Sequence, residues 1–197
     1  MKKIFAMVSV MTFLLGTATS VAAPLSDYST PGTVDVHLRY QEGAYIGMTI
    51  VVSENWGVEF AYRHYSEDVS AFLFSAAHNN IYLRAKHMAY KKDQLTIVPY
   101  LGFGYSEYDR PNPDSFLAIT NRLTDSSTAF SMGAAFIYEF SERLKGFFDL
   151  GVFIGSWAES TEWDLGISYA LSPTSDLGLY YGNYGFGVGL TFKFYSQ

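Results

Sequence analysis

From residue 33 to the C-terminus, most segments carry apolar residues at every second position, and no stretch shows a sustained 3.6-residue period. That alternation is the mark of β-strands whose two faces meet unlike surroundings. In 33–40, Val34, Val36, Leu38 and Tyr40 alternate with Thr33, Asp35, His37 and Arg39. In 56–63, Trp56, Val58, Phe60 and Tyr62 alternate with Gly57, Glu59, Ala61 and Arg63. Near residue 81, Ile81, Leu83 and Ala85 alternate with Tyr82, Arg84 and Lys86, and the same rhythm runs through 144–154, 163–171 and 186–194. With 44–52, 95–106, 127–139 and 177–182, the pattern predicts ten strands, most of them 8–13 residues long. Eight strands result if either Gln41-Glu42-Gly43 or Gly182-Asn183-Tyr184 is not a true reversal. Soluble strands average about 5–6 residues, whereas a tilted membrane-spanning strand needs about 9–11, so length favours an antiparallel up-and-down transmembrane barrel over a soluble sandwich.

The connections alternate between short and long. Ser53-Glu54-Asn55, Lys91-Lys92-Asp93, Ser141-Glu142-Arg143 and 172–176 are short polar turns, and 66–79 and 107–126 read as longer loops. Short turns on one side and longer loops on the other are expected of a membrane barrel, which has an even number of strands when both termini lie on the turn side. Both long loops carry apolar residues: Val69, Ala71, Phe72, Leu73 and Phe74 in the first, and Tyr108, Phe116, Leu117 and Ile119 with Arg110 and Arg122 in the second. They are read either as a recognition surface or a contact with lipid at the rim, or as the barrel wall continuing above the membrane.

The composition sharpens the choice of which face is inside. Aromatic residues make up 18% of the chain and charged residues only 16%. Glycine concentrates on the polar face, at Gly47, Gly57, Gly102, Gly104, Gly133, Gly151, Gly166, Gly187 and Gly189. On a solvated sheet this glycine would weaken the strands, whereas inside a narrow barrel it makes room for long partners such as arginine. Tyr40, Tyr45, Trp56, Tyr90, Tyr138, Phe140, Trp163 and Tyr169 fall near predicted strand ends, where ring belts meet lipid headgroups. The apolar face is therefore assigned to lipid and the polar face to the lumen.

At the N-terminus, Lys2 and Lys3 precede an apolar run from Ile4 to Leu15 and then small residues through Ala23. This predicts a cleaved secretory leader over 1–22 and a barrel domain over 23–197. Removal of the two lysines takes the formal charge from −6 to −8, which disfavours nucleic acid as a partner. There is no cysteine, hence no lipid-bearing cysteine and no disulfide staple.

The whole mature stretch resembles the small outer-membrane β-barrel families: OmpA-type and OmpX-type barrels and opacity-protein-like surface antigens. The most specific piece is terminal. Gly189-Leu190-Thr191-Phe192-Lys193-Phe194 is similar to the glycine and paired-aromatic signal that barrel assembly machinery reads on the last strand, which assigns that role to Gly189, Phe192 and Phe194. The resemblance implies an outer-membrane location, lipid and lipopolysaccharide as surroundings, the assembly machinery as a partner, a monomeric state and no cofactor.

Asp35, Arg39, Glu59, Arg63, Arg84, Lys86, Lys145, Asp149, Asp164 and Lys193 fall on the predicted lumen face. Both signs are present, and buried charge is tolerated when paired, so these residues are expected to form an ion-pair network that plugs the lumen. The alternative is a narrow channel for small solutes, with Arg39, Arg63, Arg84 and Lys86 as a basic constriction. A second alternative rests on His64-Tyr65-Ser66, similar to the His-x-Ser of outer-membrane lipid A deacylases, in which the histidine is the base and the serine the nucleophile. Glu67 follows where those enzymes carry asparagine, and 77–79 lacks their glutamate. His37, His78 and His87 show no metal-ligand spacing, and neither a phosphate loop nor a GxSxG elbow occurs. The expectation is a non-enzymatic barrel, structural or surface-binding, with recognition carried by 66–79 and 107–126.

Overall fold

A computed structural model describes residues 30–41, 43–69, 74–111, 122–155 and 160–195. The leader predicted over 1–22 lies outside them, as do the loop residues Ala71, Phe72, Leu73, Phe116, Leu117 and Ile119.

Every element is a strand: β1 Val34–Tyr40, β2 Gly43–Ser53, β3 Trp56–Val69, β4 Phe74–His87, β5 Tyr90–Lys92, β6 Leu95–Pro111, β7 Arg122–Glu139, β8 Leu144–Gly155, β9 Ser160–Ser172, β10 Ser175–Gly182 and β11 Gly185–Phe194. Apart from β4 and β5, which do not pair with each other, each strand pairs antiparallel with its neighbours in sequence; β11 pairs with β1, and β4 pairs with β6, so the sheet closes on itself. Strand β5 continues the β4 stave along β6 after a break at Met88 and Ala89, and the barrel therefore has ten staves. Both disputed reversals are real: β1 pairs with β2 from Tyr40↔Ala44, and β10 with β11 from Gly182↔Gly185. The tight turns place Asn55 (φ 65°) and Asp93 (φ 52°) in the left-handed region, which these two residue types tolerate at low cost.

The predicted loops are largely wall. Strand pairing runs through Val69↔Phe74 between β3 and β4 and through Pro111↔Arg122 between β6 and β7, so 66–69, 74–79, 107–111 and 122–126 belong to strands. Along these segments the barrel wall continues past the predicted strand ends.

The alternation of burial along each strand matches the face assignment. Outward positions carry exposed aliphatic and aromatic side chains around the whole circumference, among them Phe60, Leu83, Phe103, Leu150, Leu165, Leu179 and Val188. Inward positions are buried, and the core of the protein is the barrel interior.

Candidate functional site

All ten sequence-predicted charges point inward, and the structure pairs most of them. Arg39 donates from Nη1 to Asp164 Oδ2 at 2.9 Å and from Nη2 to Oδ1 at 2.6 Å, a two-pronged bridge from β1 to β9. Gln41, just past the end of β1, accepts from Arg39 and donates from Nε2 to the Gly185 carbonyl at 2.5 Å. Glu59 on β3 is the hub of a second cluster. Its Oε1 receives Lys86 Nζ at 2.8 Å and the Tyr45 hydroxyl at 3.3 Å, and its Oε2 faces Arg84 Nη1 at 3.5 Å. Lys193 reaches Asp176 at 2.7 Å. Asp149 accepts from the Tyr100 hydroxyl at 2.8 Å, and Asp35 is fully buried opposite Lys193 in the β1–β11 register. Lys145 pairs with Glu139 at 2.7 Å at the turn end, where both side chains are about a third exposed. Arg63 lies under the Tyr184 ring, 3.0 Å from its centroid, and the Tyr184 hydroxyl donates to Glu162 at 2.6 Å. Tyr184 sits in the β10–β11 turn, where burial and then the Glu162 carboxylate raise its pKa above the ordinary value and keep that donor proton in place.

Several participants escaped the sequence reading: Asp176, Glu162 and Glu139 as acids, and Tyr45, Tyr100 and Tyr184 as donors to Glu59, Asp149 and Glu162. Tyr45, expected in a headgroup belt, is buried in the lumen, because the period-2 phase it shares with Gly47 and Thr49 faces inward. The lumen glycines also serve different partners from those expected. A Cβ on Gly133 or on Gly151 would lie 2.5 Å from the Tyr100 hydroxyl, and one on Gly47 would lie 2.7 Å from the Tyr45 ring. Gly47, Gly133 and Gly151 clear space for tyrosine rings laid over the inner wall and Gly166 for the Phe147 ring, while Gly189 lies beside the Leu38 carbonyl and the Arg39 Cβ.

The interior is not polar throughout. Val51, Val98, Ala135, Ile137, Phe147 and Tyr180 form one buried apolar cluster, and Tyr45, Ala61, Tyr82, Ala129 and Phe153 form another. The Glu59 cluster adjoins the second of these: Tyr45 bonds to Glu59, and Arg84 lies over the Tyr82 ring at 4.5 Å. An interior cavity lined by Tyr45, Arg63, Tyr82, Arg84 and Asp149 measures about 30 Å³, room for roughly two water molecules.

Outside, the wall presents a continuous apolar surface far beyond the few hundred Å² that a soluble monomer exposes. Trp56, Tyr90, Tyr138 and Phe140 ring the turn end, with Tyr40 and Tyr181 near the opposite end, and all are 43–57% exposed. An apolar exterior around a charged, packed interior is stable only in hydrocarbon, where a closed barrel leaves no backbone edge unpaired. The chain is a membrane-embedded β-barrel. Folded in detergent, it is expected to migrate differently on a denaturing gel before and after boiling; identical migration would contradict the fold.

No protein-family model matches the chain, and no curated protein does. Among solved structures, the N-terminal β-barrel domain of Pseudomonas aeruginosa OprF aligns at 15% identity over 83% of this chain and 98% of its own, with a TM-score of 0.46. KdgM porin aligns at 12% identity over 83% and 99%, with a TM-score of 0.44. A structure from de novo design of transmembrane β-barrels aligns at 15% over 84% and 98%, with a TM-score of 0.38. The membrane assignment rests on the chain's own outer wall.

The remaining sequence candidates lie on the barrel surface or its upper wall. His64 and Ser66 are both on the outward face of β3; the His64 Nδ1 contacts Asn79 Oδ1 at 2.9 Å, and Ser66 is exposed. Among the described residues no hydrogen bond joins the two. Tyr108 faces inward with its ring tilted against His78 at 4.3 Å, and His78 stacks on Tyr65 at 4.3 Å. Phe192 and Phe194 face outward on β11, the strand that closes the barrel against β1. Among the described residues no group of three or more His, Asp or Glu is placed to hold a metal ion.

Proposed function

We propose that this barrel is an integral outer-membrane protein without a pore or an active site, a rigid scaffold whose lipid-remote wall and hairpins carry recognition. The observation behind this reading is the packed lumen. Two apolar clusters and the paired charges fill the described interior, and the cavity that Tyr45, Arg63, Tyr82, Arg84 and Asp149 line holds about 30 Å³, too little for a solute larger than water. A channel with Arg39, Arg63, Arg84 and Lys86 as its constriction would need free cationic heads, yet Arg39 is held by Asp164 and Lys86 by Glu59.

The leader over 1–22 and the aromatic belts support export and an outer-membrane location. The terminal segment with Gly189, Phe192 and Phe194 supports delivery by barrel assembly machinery. The lipid A hydrolase reading fares less well on geometry, because an amide, and not a carboxylate, meets the His64 ring.

Expressing cells test these points together. The protein is expected in the outer-membrane fraction, with a lipid A mass spectrum identical to that of cells carrying the Ser66→Ala variant. Recovery in the soluble periplasm would overturn the location, and loss of an acyl chain that depends on Ser66 would overturn the non-enzymatic reading.

A further inference from the structure

The outer wall is not evenly filled. A groove of about 590 Å³ crosses β7 to β11, within the range of about 300–1,000 Å³ typical of small-molecule sites. Its floor is set by Gly146, a glycine whose position in the β8 alternation faces outward, in step with Phe148 and Leu150. The register places Gly146 between Tyr138 and Ile167, so two large side chains flank a position that has none. Phe140 covers one end, its ring edge 2.7 Å from where a Gly146 Cβ would stand.

The groove joins the two ends of the barrel. Tyr138 and Phe140 adjoin the β7–β8 turn on the side of the termini, and Phe186 adjoins the β10–β11 turn on the opposite side. Between them lie four strand spacings, about 19 Å across the sheet.

We infer that this groove holds one ordered acyl chain of a bilayer phospholipid. The groove is continuous with the lipid-facing wall, so hydrocarbon chains are already its neighbours. Fluid lipid fills a narrow furrow poorly, and every gap forfeits dispersion contacts with the furrow walls. A chain laid along the furrow recovers those contacts, which sets it apart from the lipid that surrounds the rest of the barrel. Tyr138 and Tyr181 line the groove towards its two ends at headgroup height; the Tyr138 hydroxyl donates to Gln94 and keeps its acceptor lone pairs.

The test is native mass spectrometry of the full barrel extracted from phospholipid bilayers, comparing wild type with Ile167→Phe, which fills the groove, and with Leu83→Phe, which enlarges the wall away from it. Wild type and Leu83→Phe are expected to retain one phospholipid per barrel, with retention about tenfold lower in Ile167→Phe, the yield of some ten lost atom contacts. Gly146→Leu offers an independent way to fill the groove, and heat-dependent gel migration checks that each variant has folded. Equal retention in Ile167→Phe and Leu83→Phe would overturn the inference. So would a detergent-stable dimer that Ile167→Phe abolishes, which would assign the groove to a second copy of the chain.

Discussion

Replacing Glu59 with alanine is expected to lower the unfolding free energy of the barrel by about 3–5 kcal/mol, the range seen when one member of a buried ion pair is removed. Glu59 is 1% exposed and is the carboxylate that meets Lys86 and Arg84, so its loss leaves two cations facing a sealed interior. The Tyr45 hydroxyl loses its acceptor at the same time. Urea unfolding in lipid vesicles, followed by heat-dependent gel migration, reads the effect. Adding Lys86→Met to Glu59→Ala should recover a large part of the loss, because replacing both members of a buried pair by apolar groups is often neutral. A loss below about 1 kcal/mol for Glu59→Ala would mean that the cluster is hydrated and behaves as a surface pair does.

Phe147→Ala is expected to cost about 3–5 kcal/mol, the usual range for emptying an aromatic site in a packed core. Phe147 is 3% exposed, contacts the Tyr180 ring at 5.3 Å, and stands where a Cβ on Gly166 would collide with it. The neighbouring residue supplies the control. Phe148 points the other way, into lipid, and acyl chains refill the space its ring leaves, so Phe148→Ala should cost less than half as much. Equal costs for the two substitutions, by the same urea titration, would contradict an interior core.

The strand count, the closure and the inward face of every charged candidate were legible from a period of two, because hydrocarbon outside and packed charge inside enforce strict alternation. The wall above the membrane was not legible. Around Ser66, Glu107 and Ser126 both faces of the sheet leave the hydrocarbon, the alternation fades, and a strand that is still fully hydrogen-bonded reads as loop. The apolar clusters were half legible. In 146–154, Asp149 and Gly151 set the phase and put Phe147 and Phe153 inward between outward Phe148, Leu150, Val152 and Ile154, but spacing does not show which rings of distant strands they meet. Neighbours along the sheet follow from register, but Arg39 and Asp164 lie 125 residues apart on strands that do not touch, so their meeting depends on barrel diameter and shear. The glycines were seen, and their partners were not, because a tyrosine ring folding over Gly133 or Gly151 leaves no trace in spacing.

Planar-bilayer recording of the purified barrel tests the filled lumen most directly. The packed interior predicts no discrete conductance steps for the wild-type protein. Stable single-channel steps whose size or ion preference changes on Arg84→Ala would contradict it.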